Sequence, residues 1–238
     1  RVKEVNKLFE SKTTIINVGS GSGKWSLPFL ELGYRVINFD ISQYAIQLSN
    51  KRCKEFYTNN VRGDVNALPF NNESFDVVMS FGLLEHFKDI KIPIYEMVRV
   101  LKPDGLFLAD VITKRISVQT LQSWVNFLLY LLNNLIRFDL KKIKKSFWFI
   151  NKDYYENSLS ESEYLRAMNY AGLSKINITG IRCFPLIMLP SCIERLCIPA
   201  LRIFERFFLS FDRGNSKFSK TFGAIWEMSG IKKSKKRV

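Results

Sequence analysis

Metal and disulfide chemistry have little to work with in this sequence, which holds one histidine and four cysteines among 238 residues. Cys53, Cys183, Cys192 and Cys197 form neither a CxxC pair nor a His-rich metal spacing, so no metal centre is expected. The apolar neighbours of the last three predict buried thiols, which suits a reducing cytosol. Long uninterrupted apolar runs are also lacking. The stretch 124–136 is broken by Asn126, Asn133 and Asn134, and 183–209 by Glu194, Arg195, Arg202, Glu205 and Arg206. Neither supplies the ~20 apolar residues of a membrane span. Glycine and proline are modest, at 12 and 7 residues, so disorder is expected only at the ends, including the basic tail from Lys232 to Arg237. The opening Arg1-Val-Lys-Glu-Val-Asn6 is too polar for a signal peptide and has no initiator Met, so the chain is expected to be clipped before Arg1.

Acidic residues are scarce in one half only. Residues 1–112 hold 14 Lys/Arg and 13 Asp/Glu, whereas 113–238 hold 22 and nine, which accounts for nearly all of the +14 net charge. Any polyanion, whether nucleic acid or an acidic lipid surface, should be met through the second half.

Within the first half, β-branched runs alternate with helical patterns. Thr14–Val18 reads as a strand ending at Gly19, and Trp25, Leu27, Phe29, Leu30 and Leu32 suit a helix ended by Gly33. Arg35–Phe39 is a second strand, ending at Asp40; Ser42 is an N-cap candidate for a helix running to about Phe56. Phe75–Met79 is a buried strand, 88–101 a helix, Lys102–Gly105 a turn and Leu106–Asp110 another strand. This alternation implies a parallel sheet with helices on both faces and ligands at the carboxyl ends of its strands. Beyond Thr113, Val118–Phe138 is helical and apolar, Ser160–Ala171 is a helix stopped by Gly172, and 175–179 and 222–228 suit final strands. One domain is expected over 1–238. Its cofactor half is 13–112, and insertions at 113–159 and 182–218 form a lid or a substrate or membrane surface.

Chemistry concentrates at the loop Asn17-Val-Gly19-Ser-Gly21-Ser-Gly23, where three glycines between strand and helix let the backbone approach a ligand. Asp40, about 20 residues on at the next strand end, has the position of an acid that accepts both hydroxyls of an adenosine ribose. With these stand Gly63-Asp64-Val65-Asn-Ala-Leu68-Pro69-Phe70, Ser74-Phe75-Asp76, Leu84-Glu85-His86-Phe87 and Arg99-Val-Leu-Lys-Pro103-Asp-Gly105. In order and spacing the sequence resembles the class I S-adenosylmethionine-dependent methyltransferases, especially the small-molecule group that includes the ubiquinone and menaquinone biosynthesis enzymes. The resemblance implies a Rossmann-like, doubly wound, mostly parallel seven-stranded α/β sheet with helical insertions in its C-terminal half. It also implies S-adenosylmethionine as cofactor. The loop of Asn17, Gly19, Gly21 and Gly23 would hold the methionine end, Asp40 the ribose, Asp64 the adenine amino group and Val65 the ring edge, with Ile41 a further cofactor-binding residue. Ser80 and Phe81 would line the methionine side. Asn17 departs from the family, which usually has Asp or Glu there, and Asn17→Asp is expected to preserve or improve cofactor binding.

Methyl transfer from a sulfonium chiefly needs orientation and exclusion of water, so no elaborate triad is required. His86, just past the fourth strand, is the natural base for a hydroxyl or acidic-carbon acceptor; capping a loop or shaping the pocket is its other reading. The stripe Trp124, Phe127, Leu128, Leu131, Leu132 and Leu135 either packs onto the sheet or, beside Lys141, Lys142, Lys144 and Lys145, forms an interfacial surface. Ile203, Phe204, Phe207, Phe208 and Leu209 among arginines resemble such a surface too. The favoured function is methyl transfer to a small, apolar or lipid-like acceptor, by a cytoplasmic protein in peripheral contact with the inner membrane surface. The rivals are an RNA ribose methyltransferase and a non-catalytic S-adenosylmethionine-binding protein.

Overall fold

Strand β1 (Thr14–Val18) begins the sheet because its β-branched residues suit an extended backbone buried on both faces; Ile15, Ile16 and Val18 are fully enclosed. The computed structural model describes residues 2–9, 13–56, 58–112, 116–136, 142–143, 155–182, 203 and 216–234. Outside these lie the expectations for Cys183, Cys192 and Cys197, for Lys141, Lys144 and Lys145, and for all of 183–211 except Ile203. Before β1, α1 (Val2–Leu8) sets Val5 into the core, and the Tyr34 hydroxyl donates to Asn6 Oδ1 at 2.7 Å.

Chain order continues with α2 (Leu27–Leu30), β2 (Arg35–Asp40), α3 (Gln43–Arg52), β3 (Asn59–Arg62), β4 (Phe75–Phe81), α4 (Lys91–Val100) and β5 (Leu101–Val111). Then come α5 (Val118–Ile136), α6 (Glu161–Tyr170), β6 (Leu173–Ile181), α7 (Lys217–Phe222) and β7 (Ile225–Lys232). The seven-stranded sheet has the order β3-β2-β1-β4-β5-β7-β6, and β3 through β5 pair in parallel. This is the parallel sheet that the alternation predicts, in the mostly parallel, Rossmann-like form that the resemblance implies.

Asp76 fixes one end of the central strands. Its Oδ2 accepts from the Thr14 backbone N–H (2.9 Å) and hydroxyl (2.7 Å), and its Oδ1 from Lys102 Nζ at 2.7 Å. Burial alone would push this carboxyl up, but the hydrogen bonds from Lys102 and Thr14 outweigh it and hold the group below its ordinary range.

Several elements differ in detail from their sequence signals. The helix after β1 is one short turn, α2 (Leu27–Leu30), entered through Pro28, so Trp25 lies in the loop instead of on a helix. The turn Lys102–Gly105 is a bulge inside β5: Leu101 pairs with Phe75 and Leu106 with Val77, and Asp104 takes φ +61° to close the detour. Lys232 ends β7 and is held, its ammonium donating to the Leu101 carbonyl at 2.6 Å. Ser160 starts α6 with a reciprocal capping box to Glu163, and Gly172 follows at φ +100°.

By contact density the chain divides into two units. The first comprises Arg1–Val111, Leu159–Ile178 and Glu227–Val238, and the second Ile112–Ser158 and Thr179–Trp226. No helix among the described residues is long and apolar enough to cross a membrane.

Candidate cofactor site

Register brings the predicted residues to one edge of the first unit. Val18 pairs with Phe39 and Asn17 with Met79, so the next step along β1 sets Gly19 level with Asp40 on one side and Phe81 on the other. Asp40 in turn pairs with Arg62, which places Gly63 and Asp64 directly beyond, and Phe81 pairs with Asp110. Residues far apart in sequence thus meet at the carboxyl ends of β1, β2, β3 and β4.

The glycine loop is tied down to β2. The Gly19 and Ser20 amides both donate to the Phe39 carbonyl (2.8 and 3.0 Å), and the Gly21 amide donates to Asp40 Oδ2 at 2.8 Å. Asp40 Oδ1 accepts from the Ser42 amide at 2.9 Å, so the carboxylate bridges the loop and the start of α3. Gly19, Gly21 and Gly23 all take positive φ, which L side chains rarely adopt. A Cβ on Gly19 would meet the Leu83 side chain, whereas the space over Gly21 is open. Leu83 therefore packs against the loop, a role no local pattern announces.

Asp64 caps the turn Val65–Ala67 through its Oδ1, which accepts from the Asn66 amide, and Val65 is buried. Phe81 is buried and meets Trp25 edge-on at 5.8 Å, with Lys24 Nζ 5.7 Å from the indole centroid. Ile41 is exposed. His86 ends the exposed side of the turn Leu84–His86, its amide donating to the Leu83 carbonyl.

Two hydroxyls carry a further signal. Ser80 on β4 and Ser20 in the glycine loop are buried, and their Oγ atoms have no hydrogen-bond partner among the described residues. A bound ligand with polar atoms would satisfy them. With the open space at Gly21 and the ribose-type acid Asp40, the residues present fit S-adenosylmethionine. Ser20 carries no signal of its own in the sequence, where it reads only as a loop spacer.

Asn17 is not placed like a lost charge. It is 1% exposed, and its Nδ2 donates to Ser26 Oγ at 2.9 Å, whose own hydrogen goes to Asn38 Oδ1. Asn17→Asp would remove that donor and require the single Ser26 hydrogen to serve two acceptors. We expect the variant to lose about 1–2 kcal/mol of stability at neutral pH. Denaturant unfolding measures this. Stability equal to the wild type would mean that Ser26 turns to the new carboxylate while the Asn38 amide flips to compensate.

A cavity of about 860 Å³ lies within the same unit, lined by Lys88, Ile90 and Lys91 at the start of α4 and by Leu159, Arg166 and Tyr170 around α6.

Residues 16–109 match the family model described as a methyltransferase domain. S-adenosylmethionine is the cofactor this match implies. The uncharacterized methyltransferase YcgJ of Bacillus subtilis is 31% identical over 97 residues, 40% of this chain and 38% of that protein. The demethylmenaquinone methyltransferase of Renibacterium salmoninarum is 35% identical over 92 residues, 38% of each chain. The phthiotriol/phenolphthiotriol dimycocerosates methyltransferase of Mycobacterium tuberculosis is 40% identical over 92 residues, 39% of this chain and 34% of that protein. The chain thus spans less than two-fifths of the length of these relatives.

Among solved structures, YcgJ superposes with a TM-score of 0.59 at 20% identity, covering 98% of this chain and 97% of that one. A Mesorhizobium loti S-adenosylmethionine-dependent methyltransferase gives 0.60 at 13%, covering 97% and 96%. The [4+2]-cyclase SpnF gives 0.61 at 14%, covering 98% and 80%. These likenesses establish the fold; that a cyclase shares it means the reaction must be argued from the site.

Proposed function

We propose that this protein transfers the methyl group of S-adenosylmethionine to a small, apolar or lipid-like acceptor. The observation that carries the reading is the cradle at the ends of β1, β2 and β4: three positive-φ glycines, one of them held by the Asp40 carboxylate, together with the buried Ser20 and Ser80 hydroxyls that have no hydrogen-bond partner among the described residues. Gly19, Gly21 and Gly23 take the methionine end, Asp40 beside Ile41 the ribose, Asp64 and Val65 the adenine, and Ser80 with Phe81 the methionine side. The chemistry supplied by bound S-adenosylmethionine is a methyl group on a sulfonium, already activated for in-line displacement. The chain's part is to hold donor and acceptor in line and to keep water out, for which Phe81, Trp25 and Leu83 supply apolar walls. Quinone- and lipid-directed enzymes among the partial relatives favour an apolar acceptor, and the cavity between α4 and α6 has the volume of a small-molecule site.

Incubating the protein with labelled S-adenosylmethionine and separate lipid, polar-metabolite and RNA extracts tests this reading. Label should enter the lipid fraction. Label in RNA instead would replace the acceptor class, and tight cofactor binding with no transfer to any fraction would make the protein a non-catalytic binder. His86 is the residue we assign as base. His86→Gln should lower turnover while cofactor affinity stays unchanged. Full turnover in a folded variant would reduce His86 to a loop residue.

A further inference from the structure

We propose that the outward face of α5 is an interfacial helix that seats the protein on an anionic lipid bilayer. The helix runs 19 residues, Val118–Ile136, without a single charged side chain. Its polarity is inverted for a helix in water: Asn126 and Asn134 lie on the buried side with Phe127, while Leu121, Trp124, Leu128, Leu132 and Leu135 are each 48–57% exposed. Spacings of three, four, four and three residues gather those five into one narrow stripe along about 20 Å of helix. Ile116, just before the helix, and Ile136, its last residue, are exposed still further. Asn134 is accommodated locally, its Nδ2 donating to the Tyr130 carbonyl one turn back at 2.7 Å. Single exposed leucines are ordinary on a protein surface; a continuous apolar stripe marks something that covers it.

Charge identifies what covers it. The same unit brackets this neutral helix with bases in sequence, Lys114 and Arg115 before it and Arg137, Lys141, Lys142, Lys144 and Lys145 after it, against one intervening acid, Asp139. Lys142 is exposed. A second copy would bring an equally basic bracket against the first and be repelled, whereas anionic headgroups attract it. Trp124 fits the same surroundings, since an indole favours the boundary between acyl chains and water. Because no described helix can span a bilayer, α5 lies in its plane.

The inference stands on this helix face and its flanking charge, independently of the methyl-transfer reading, and its test needs no cofactor. The whole protein is co-sedimented with vesicles of phosphatidylcholine alone or mixed with phosphatidylglycerol, and tryptophan quenching by brominated lipid is read alongside. Binding is expected to the mixed vesicles only and to fall with salt. Each of Lys141→Gln, Lys142→Gln, Lys144→Gln and Lys145→Gln should weaken it about fivefold. Leu128→Glu with Leu132→Glu should weaken it at least tenfold while the thermal melt is unchanged; the lysine series keeps the test decisive if that pair fails to fold. Three results overturn the proposal: no binding to anionic vesicles at low salt, whether or not RNA is bound; full binding by a folded glutamate pair; or self-association through α5 in place of vesicle binding. Failure of the labelled-methyl assay would leave each of these readings intact.

Discussion

Replacing Asp40 with alanine should weaken S-adenosylmethionine binding by about 2–3 kcal/mol, a loss of roughly 30- to 150-fold. Two effects combine. The carboxylate is the acceptor proposed for the ribose hydroxyls, and it already holds the Gly21 amide and the Ser42 amide, one on each oxygen. Alanine therefore removes a ligand contact and releases the glycine loop. Asp40→Asn separates them poorly, because its Nδ2 would face one of those two backbone donors. Calorimetry with S-adenosylmethionine and with adenosine alone, beside hydrogen exchange at the Gly21 amide, resolves the two parts. Faster Gly21 exchange with unchanged adenosine affinity would confine Asp40 to shaping the loop. Unchanged affinity for both ligands in a folded variant would remove it from the site.

What made Asp40 legible also made most of the fold legible. β1, β2 and β4 are β-branched or aromatic runs closed by a glycine, an acid or a serine, and such local signals survive in any tertiary context. β3 carries no such signal. Asn59-Asn60-Val61-Arg62 has one β-branched apolar residue, and the strand lies at the sheet edge, paired to β2. Asn60 is fixed there by partners on α3, accepting from Ser49 Oγ at 2.9 Å and donating to Asn50 Oδ1 at 2.6 Å. Only the folded chain brings those together. The same holds at the site: the glycines and Asp40 are readable as types at a spacing, but the Leu83 side chain against Gly19 and the chain of bonds from Asn17 through Ser26 to Asn38 join residues on different elements. Asn17, which by sequence is only a missing carboxylate, is in the fold a donor that a carboxylate cannot replace.

Arg99 illustrates the gap most fully, and its replacement by alanine should destabilise the protein by about 3 kcal/mol. In sequence it only opens the motif Arg99–Gly105. In the fold its guanidinium, 21% exposed, donates Nε and Nη2 to the two oxygens of Glu96 at 2.7 and 2.8 Å. It also donates to the Leu68 carbonyl at 2.9 Å, the Phe70 carbonyl at 2.8 Å and Asn72 Oδ1 at 2.9 Å, while Glu96 accepts from the Leu68 amide at 2.8 Å. One planar group thus fastens the segment that follows Asp64 and Val65 onto α4. Alanine would leave a mostly buried Glu96 carboxylate with no cation, next to carbonyls that had been its partner's acceptors. Arg99→Lys should recover part of the loss, since an ammonium restores charge but not the fork. The pH dependence has a definite sign. Arg99 holds the Glu96 carboxyl below its ordinary range, so the stabilisation is complete above the unfolded carboxylate pKa of about 4.3 and fades as pH falls through the folded value. In the alanine variant that acid-side loss should flatten, and the adenine side of the site should loosen with the freed segment. Denaturant unfolding at pH 7 and pH 3 measures both. Unfolding free energies within about 0.5 kcal/mol of the wild type at pH 7 would mean that the segment after Val65 is held by its apolar contacts, with Arg99 a surface charge.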